Sequence, residues 1–247
     1  IHFHAGAYLI PADPIQGRKR WRSQRSELDI DQMYNYANAA QMSTKCQEEH
    51  RIGFFDKELL EKQLWERKVE DTMDLALKNE EFQVYLQPKY SPTEAKLVGA
   101  EALVRWISPQ DGFISPGKFI PIFEENGFIT QLDDYMISHV AKLQAEWKIR
   151  GKKAVPVSVN VSRAHFAQEG LAEHICQLVD AYGPPHELIE LEVTESAFFD
   201  DKDVLVETVK QLKDYGFRVS MDDFGAGYSS LNSLKDIPLD VLKLDGE

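Results

Sequence analysis

Apolar residues recur on two different periods along this chain, and the switching between them predicts an α/β architecture. Strand-like runs occupy residues 83–87, 97–106, 155–161, 188–194, 217–223 and 241–244. Between them the period changes to that of a helix. Leu132, Tyr135, Met136, Val140, Leu143 and Trp147 trace one amphipathic helix that stops before Gly151. Residues 163–182 and 200–215 predict two more, each followed by a glycine or proline turn and a strand. Ser115-Pro116 reads as a helix start, with Ser as N-cap and Pro at the first helical position, and Asn126-Gly127 as the matching stop. Strands that alternate with helices pair in parallel and wind toward a TIM-like β/α barrel. The six strands here are two short of the eight that close such a barrel.

The first third is organised differently. Residues 1–10 carry a strand-like pattern, and residues 11–27 are irregular, with Pro11, Pro14 and the cluster Arg18-Lys19-Arg20-Trp21-Arg22. That cluster reads as a solvated loop rather than a ligand site. Residues 31–42 predict a helix on the spacing of Met33, Tyr34, Ala37 and Ala40. Residues 57–78 are charged and helical, without a glycine or proline, and put Leu59, Trp65, Val69, Met73 and Leu77 on one face. This segment reads either as a helix connecting two domains or as one packed on the barrel.

The chemistry-bearing residues sit at the ends of the strand-like runs. In Glu101-Ala102-Leu103-Val104-Arg105-Trp106, alternation puts Glu101, Leu103 and Arg105 on one face. Buried charges need partners, so a metal, an anion or a mutual ion pair is expected there. Later runs end in Asn160, Glu192, the pair Asp222-Asp223, and Lys243. Asn160, Glu192 and Asp222 are about 30 residues apart, the length of one strand–helix unit. Parallel strands present their carboxyl ends on one rim, where β/α barrels place their chemistry. Each residue also has a plainer reading. Glu101 and Arg105 can pair with each other, Asn160 can cap a strand, Asp222-Asp223 can make a turn, and Lys243 can snorkel. Glu190 is read as a surface ion-pair residue and left outside the site.

A net charge of −13 argues against a nucleic-acid polymer as partner, and requires local cations for any small phosphodiester ligand. Cys46 and Cys176 are far apart and in no metal-ligand spacing, which fits two free thiols in a reducing cytoplasm. No apolar run is long enough for a membrane span. The chain opens inside a strand-like pattern, and reads as a cut end.

Six ordered segments carry a resemblance to a known family. Tyr85-Leu86-Gln87-Pro88, Glu101-Ala102-Leu103-Val104-Arg105-Trp106, Asn160-Val161-Ser162, Glu192-Val193-Thr194-Glu195, residues 222–230 and Asp240-Val241-Leu242-Lys243-Leu244-Asp245 are similar to successive motifs of the EAL domain. The resemblance runs from about Phe82 to the end of the chain and implies a bacterial phosphodiesterase that opens cyclic di-GMP to linear pGpG. It further implies that Glu101, Asn160, Glu192 and Asp222 hold one divalent cation, Mg²⁺ or Mn²⁺, and that Asp222 and Asp223 reach toward a second. Lys243 is then a catalytic residue, Arg105 binds phosphate, and Gln87 and Leu103 contact the ligand. Glu195 orders the loop after Asp222-Asp223. The alternatives are a receptor that binds cyclic di-GMP without turnover, or a purely structural module. Residues 1–56 resemble the carboxyl-terminal part of a GGDEF (diguanylate cyclase) domain, giving the order GGDEF remnant, connecting helix at 57–81 and EAL domain at 82–247. EAL domains often dimerise, so a homodimer is compatible with the resemblance. The family's last glutamate and its glutamine-glycine segment find no match, so weak or absent hydrolysis is expected of this chain as it stands.

Overall fold

The computed structural model describes residues 4–7, 30–42, 51–54, 57–166, 168–194, 202–225 and 237–244. The basic cluster at 18–22, Cys46 and Glu195 lie outside these residues. The chain divides into two units, residues 1–72 and 73–247. In the first, β1 (His4–Ala7) and β2 (Arg51–Phe54) pair in parallel, and α1 (Ile30–Met42) packs on both. Parallel neighbours need a crossover between them, and α1 supplies it. Helix α2 (Lys57–Lys78) coincides with the predicted segment and spans the boundary between the units. Its exposed pairs Lys57–Glu61 and Lys62–Glu66, at 3.3 and 3.6 Å, add a few tenths of a kcal/mol each at most.

The second unit is built on β3 (Phe82–Tyr90), β4 (Leu97–Ser108), β6 (Val157–Val161), β7 (Ile189–Thr194), β8 (Arg218–Phe224) and β9 (Val241–Leu244), adjacent in that order. From β4 to β9 the neighbours along this path are parallel, but β3 runs antiparallel to β4. The expectation of an all-parallel sheet therefore fails at its first strand. Residues 91–96 form a tight turn closed by Ser91 N–H on the Lys96 carbonyl at 2.9 Å, too short for a crossover. A three-residue strand that the sequence pattern did not predict, β5 (Gly112–Ile114), folds back on β4.

Alternation along the parallel strands sorts the side chains. Val157, Val159 and Val161 of β6, Ile189, Leu191 and Val193 of β7, and Val219 and Met221 of β8 are all buried. The opposite face carries Ser158, Glu190, Glu192 and Ser220, which are buried as well. Polar groups buried this way must find partners within the protein. The helices are α3 (Ile120–Asn126), α4 (Ile129–Ile149), α5 (Arg163–Phe166), α6 (Leu171–Asp180) and α7 (Lys202–Asp214). Helix α4 packs on β6, and α6 packs on α4 and α7.

Two helix boundaries differ from expectation. Ser115 is extended and makes no side-chain cap bond; Pro116 opens a 3₁₀ turn (Pro116–Lys118), and α3 starts only at Ile120. The predicted helix over 163–182 is two helices, with Gly170 in the left-handed region at φ 76° just before α6. The predicted stop at Gly127 is present, with φ 81°. No helix among the described residues is long and apolar enough to cross a membrane.

Candidate metal centre

Strand register assembles the site from distant parts of the chain. Gln87 lies opposite Glu101, Glu101 beside Ser158, Asn160 beside Glu192, and Thr194 beside Asp222. Strand β9 is fixed by Asp240, which clasps Val219 of β8 twice. Its N–H donates to the Val219 carbonyl and its carboxylate accepts the Val219 N–H, both at 2.8 Å. Burial opposes ionisation of Asp240, but hydrogen bonds from Lys213 and from Val219 outweigh it and hold the carboxyl below the usual range. Lys243, three residues on, is thereby brought level with the carboxylates of β4, β7 and β8.

The ammonium of Lys243 lies 2.7 Å from Glu192 Oε1, 2.9 Å from Asp222 Oδ2 and 3.3 Å from Glu101 Oε2. Burial works against its charge, but the bonds to Glu192 and Asp222 and the field of Glu101 raise its pKa above the usual lysine range. Lys243 is therefore a fixed cation. A second cation reaches the same face from β3. Lys89 Nζ donates to Ser158 Oγ at 2.7 Å and to Glu192 Oε1 at 2.8 Å, and lies 3.6 Å from Glu190 Oε1. Arg218 Nη1 is 3.8 Å from Glu190 Oε2. In this network four carboxylates (Glu101, Glu190, Glu192, Asp222) face three cations (Lys89, Lys243, Arg218).

Two observations fit the cluster to a cation. Oxygens of Glu101, Glu192 and Asp222 lie within 4.8 Å of one another. Glu192 is fully buried, and its Oε2 has no hydrogen-bond partner among the described residues. A buried carboxylate oxygen left unpaired is costly, and a hard cation is the partner such a donor set favours.

The other predicted residues surround this cluster. Leu103, Arg105 and Asn160 line a cavity of about 630 Å³, together with Thr194 and Arg163. Glu101, Glu192 and Asp222 do not line it themselves, but Asn160 and Thr194 are the in-register neighbours of the latter two. Arg105 donates from Nη1 to the Val104 carbonyl at 2.8 Å, and its guanidinium lies over the Tyr85 ring at 5.8 Å. The mutual ion pair of Glu101 with Arg105 is thus not formed; Glu101 pairs with Lys243 instead. Gln87 is exposed beside Glu101. Asp223 is exposed at φ 55°, stands outside the carboxylate cluster, and donates its N–H to Asp222 Oδ1 at 2.9 Å.

Sequence reasoning missed Lys89, and read Glu190 as a surface residue. Glu190 is only 6% exposed, on a central strand whose polar face also brings Lys89 and Arg218 to its carboxylate. Lys89 lies two residues after Gln87 and so faces the same way, the one signal that could have found it.

The comparisons with known proteins give the family. The EAL domain family pattern matches residues 70–247. Cyclic di-GMP phosphodiesterase NbdA of Pseudomonas aeruginosa is 30% identical over 215 residues, covering 87% of this chain and 28% of NbdA. The bifunctional diguanylate cyclase/cyclic di-GMP phosphodiesterase MucR of the same organism is 33% identical over 223 residues, covering 90% of this chain and 32% of MucR. The chain thus spans about a third or less of these relatives. A solved structure of the PaMucR phosphodiesterase in complex with c-di-GMP superposes with a TM-score of 0.68 at 33% identity, covering 72% of each chain. On the family match, the identities and the shared fold, this chain belongs to the EAL domain family.

Proposed function

We propose that the chain is a divalent-cation-dependent phosphodiesterase domain of the type that hydrolyses cyclic di-GMP to linear pGpG in the bacterial cytoplasm, with weak or absent hydrolysis by this chain as it stands. The observation that carries this reading is the convergence of Glu101, Glu192 and Asp222, from three separate strands, around Lys243 on one face of the sheet. Glu101, Asn160, Glu192 and Asp222 would hold one Mg²⁺ or Mn²⁺, and Asp222 with Asp223 would serve a second. When bound, such ions supply an activated water at neutral pH and stabilise charge on the leaving oxygen.

The remaining work falls to the chain's own side chains. Lys243, whose ammonium lies 2.9 Å from Asp222 Oδ2, would donate toward the attacking oxygen or a non-bridging phosphate oxygen. Arg105, on the cavity wall, gives the phosphate a charge-assisted contact, while Gln87 and Leu103 hold the rest of the ligand. Residues 1–56 form a GGDEF-like segment joined through a connecting helix at 57–81.

The test is chromatography of pGpG formed by the chain with and without Mn²⁺. Product should require the metal, vanish in Asp222→Asn, and fall by about 10²–10³ in kcat in Lys243→Met, as for loss of one charge-stabilising donor. Tight binding of cyclic di-GMP with no uptake of Mn²⁺ would select the receptor reading, since weak or absent turnover is expected of this chain in either case. Equal turnover by both variants would place the chemistry elsewhere.

A further inference from the structure

A second cluster of metal-ligating side chains lies outside the carboxylate centre, where α4, α5 and α6 meet. Asp134 projects from α4, His165 from α5 and His174 from α6. His174 Nε2 is 2.9 Å from both carboxylate oxygens of Asp134, and His165 Nε2 is 3.5 Å from Asp134 Oδ1. One ligand atom from each of the three lies within 4.8 Å of the other two. A tetrahedral ion with bonds of about 2.0–2.1 Å holds its ligands about 3.4 Å apart, so only small side-chain adjustments separate this cluster from a coordination shell.

We propose that Asp134, His165 and His174 form a zinc site, with water as the fourth ligand. The buried histidine distinguishes this from an ordinary surface ion pair. His165 is 1% exposed, and both of its ring nitrogens face carboxylates. Its Nδ1 is 3.3 Å from Asp133 Oδ2 but makes no well-formed hydrogen bond. A cation on Nε2 assigns the proton to Nδ1 and directs it at Asp133. That is the carboxylate–histidine–metal arrangement by which supporting groups orient zinc ligands. Asp133 is itself fixed, accepting the Ser162 N–H at 2.8 Å on the same Oδ2.

The ligand chemistry selects the metal. Two imidazoles and one carboxylate suit Zn²⁺ and are poor for Mg²⁺, the reverse of the oxygen-only set around Glu192. His174 is 45% and Asp134 32% exposed at the side chain, which gives the ion an entry path and a water its place. A zinc ion here ties three helices together. It also steadies the link from β6 to α5, two residues beyond Asn160.

Isothermal titration of Zn²⁺ into Glu192→Gln tests the proposal, because that change disables the carboxylate centre and leaves the imidazoles in place. One tight Zn²⁺ per chain is expected. His174→Ala should weaken it by more than about 100-fold and Asp133→Asn by about 10–100-fold, the cost of losing a supporting carboxylate. Co²⁺ should give the visible bands of a tetrahedral site, lost in His174→Ala. His186→Ala is the control, since Cys176, Asp180 and His186 form another group of potential ligands. Zn²⁺ binding unchanged in His174→Ala, or lost in His186→Ala, overturns the assignment.

Discussion

The two faces of β4 solve different problems with the same backbone. Its even-numbered face, with Ala100, Ala102 and Trp106 buried, packs against aromatic rings. Trp106 lies 5.1 Å from Phe82 and meets Phe119 edge-on at 5.5 Å, while Phe119 and Phe123 are 5.4 Å apart. The polar tips at the margin are paired, Trp106 Nε1 donating to Glu81 at 3.0 Å and the Tyr135 hydroxyl to the Phe82 carbonyl at 2.9 Å. The odd-numbered face carries Glu101, Leu103 and Arg105, and Glu101 depends on one lysine from the far end of the chain. Each ring on the apolar face has several neighbours, so binding energy there is shared and weakly directional. On the polar face Lys243 serves three carboxylates and shares Glu192 with Lys89, and among the described residues one oxygen of Glu192 has no hydrogen bond. The first face is closed by mutual packing, and the second keeps a buried carboxylate oxygen unpaired among the described residues.

Removing a ring should therefore change stability far more than function. Phe123→Ala is expected to cost about 3–5 kcal/mol in urea denaturation, with Mn²⁺ affinity of the folded protein unchanged. A parallel loss of metal affinity would show that the faces are not separable. Arg105→Ala is the opposite case. It should weaken cyclic di-GMP binding by about 1.5–3 kcal/mol while leaving the denaturation midpoint nearly where it was. A large drop in that midpoint would make Arg105 a structural residue.

The smallest expected effect is on pH dependence. Asp240 has a depressed folded pKa, so its stabilisation is complete above the unfolded carboxyl value, about 3.9, and is lost as pH falls through the folded value. Asp240→Asn should therefore flatten the decline of melting temperature from about pH 4 downward. An unchanged acid limb would show that the clasp on Val219 does not hold β9.

Strand and helix positions in the second unit were legible because both periods are strong. The carboxylates were legible because Glu192 and Asp222 come near the ends of apolar runs and Glu101 stands as a charge inside one. What could not be read was the partner of each charge. Lys89 and Glu192 are 103 residues apart, and nothing local to either announces the pair. The antiparallel entry of β3 was hidden for a related reason, since its direction is dictated by the short turn at 91–96 and not by its own alternation. Strand β5, only three residues long, falls below what a period can show. The break before α6 rests on the left-handed backbone of Gly170, within a run that otherwise reads as helical.

The central claim is that the polar face of the sheet is a divalent-cation centre organised on Glu192. Mn²⁺ binding by the chain and by Glu192→Gln, followed by electron paramagnetic resonance, tests it most directly. The isosteric change keeps the volume and removes the charge, so the account predicts that the bound Mn²⁺ of the unmodified chain is lost in the variant. Retention of the same Mn²⁺ affinity by Glu192→Gln would contradict it.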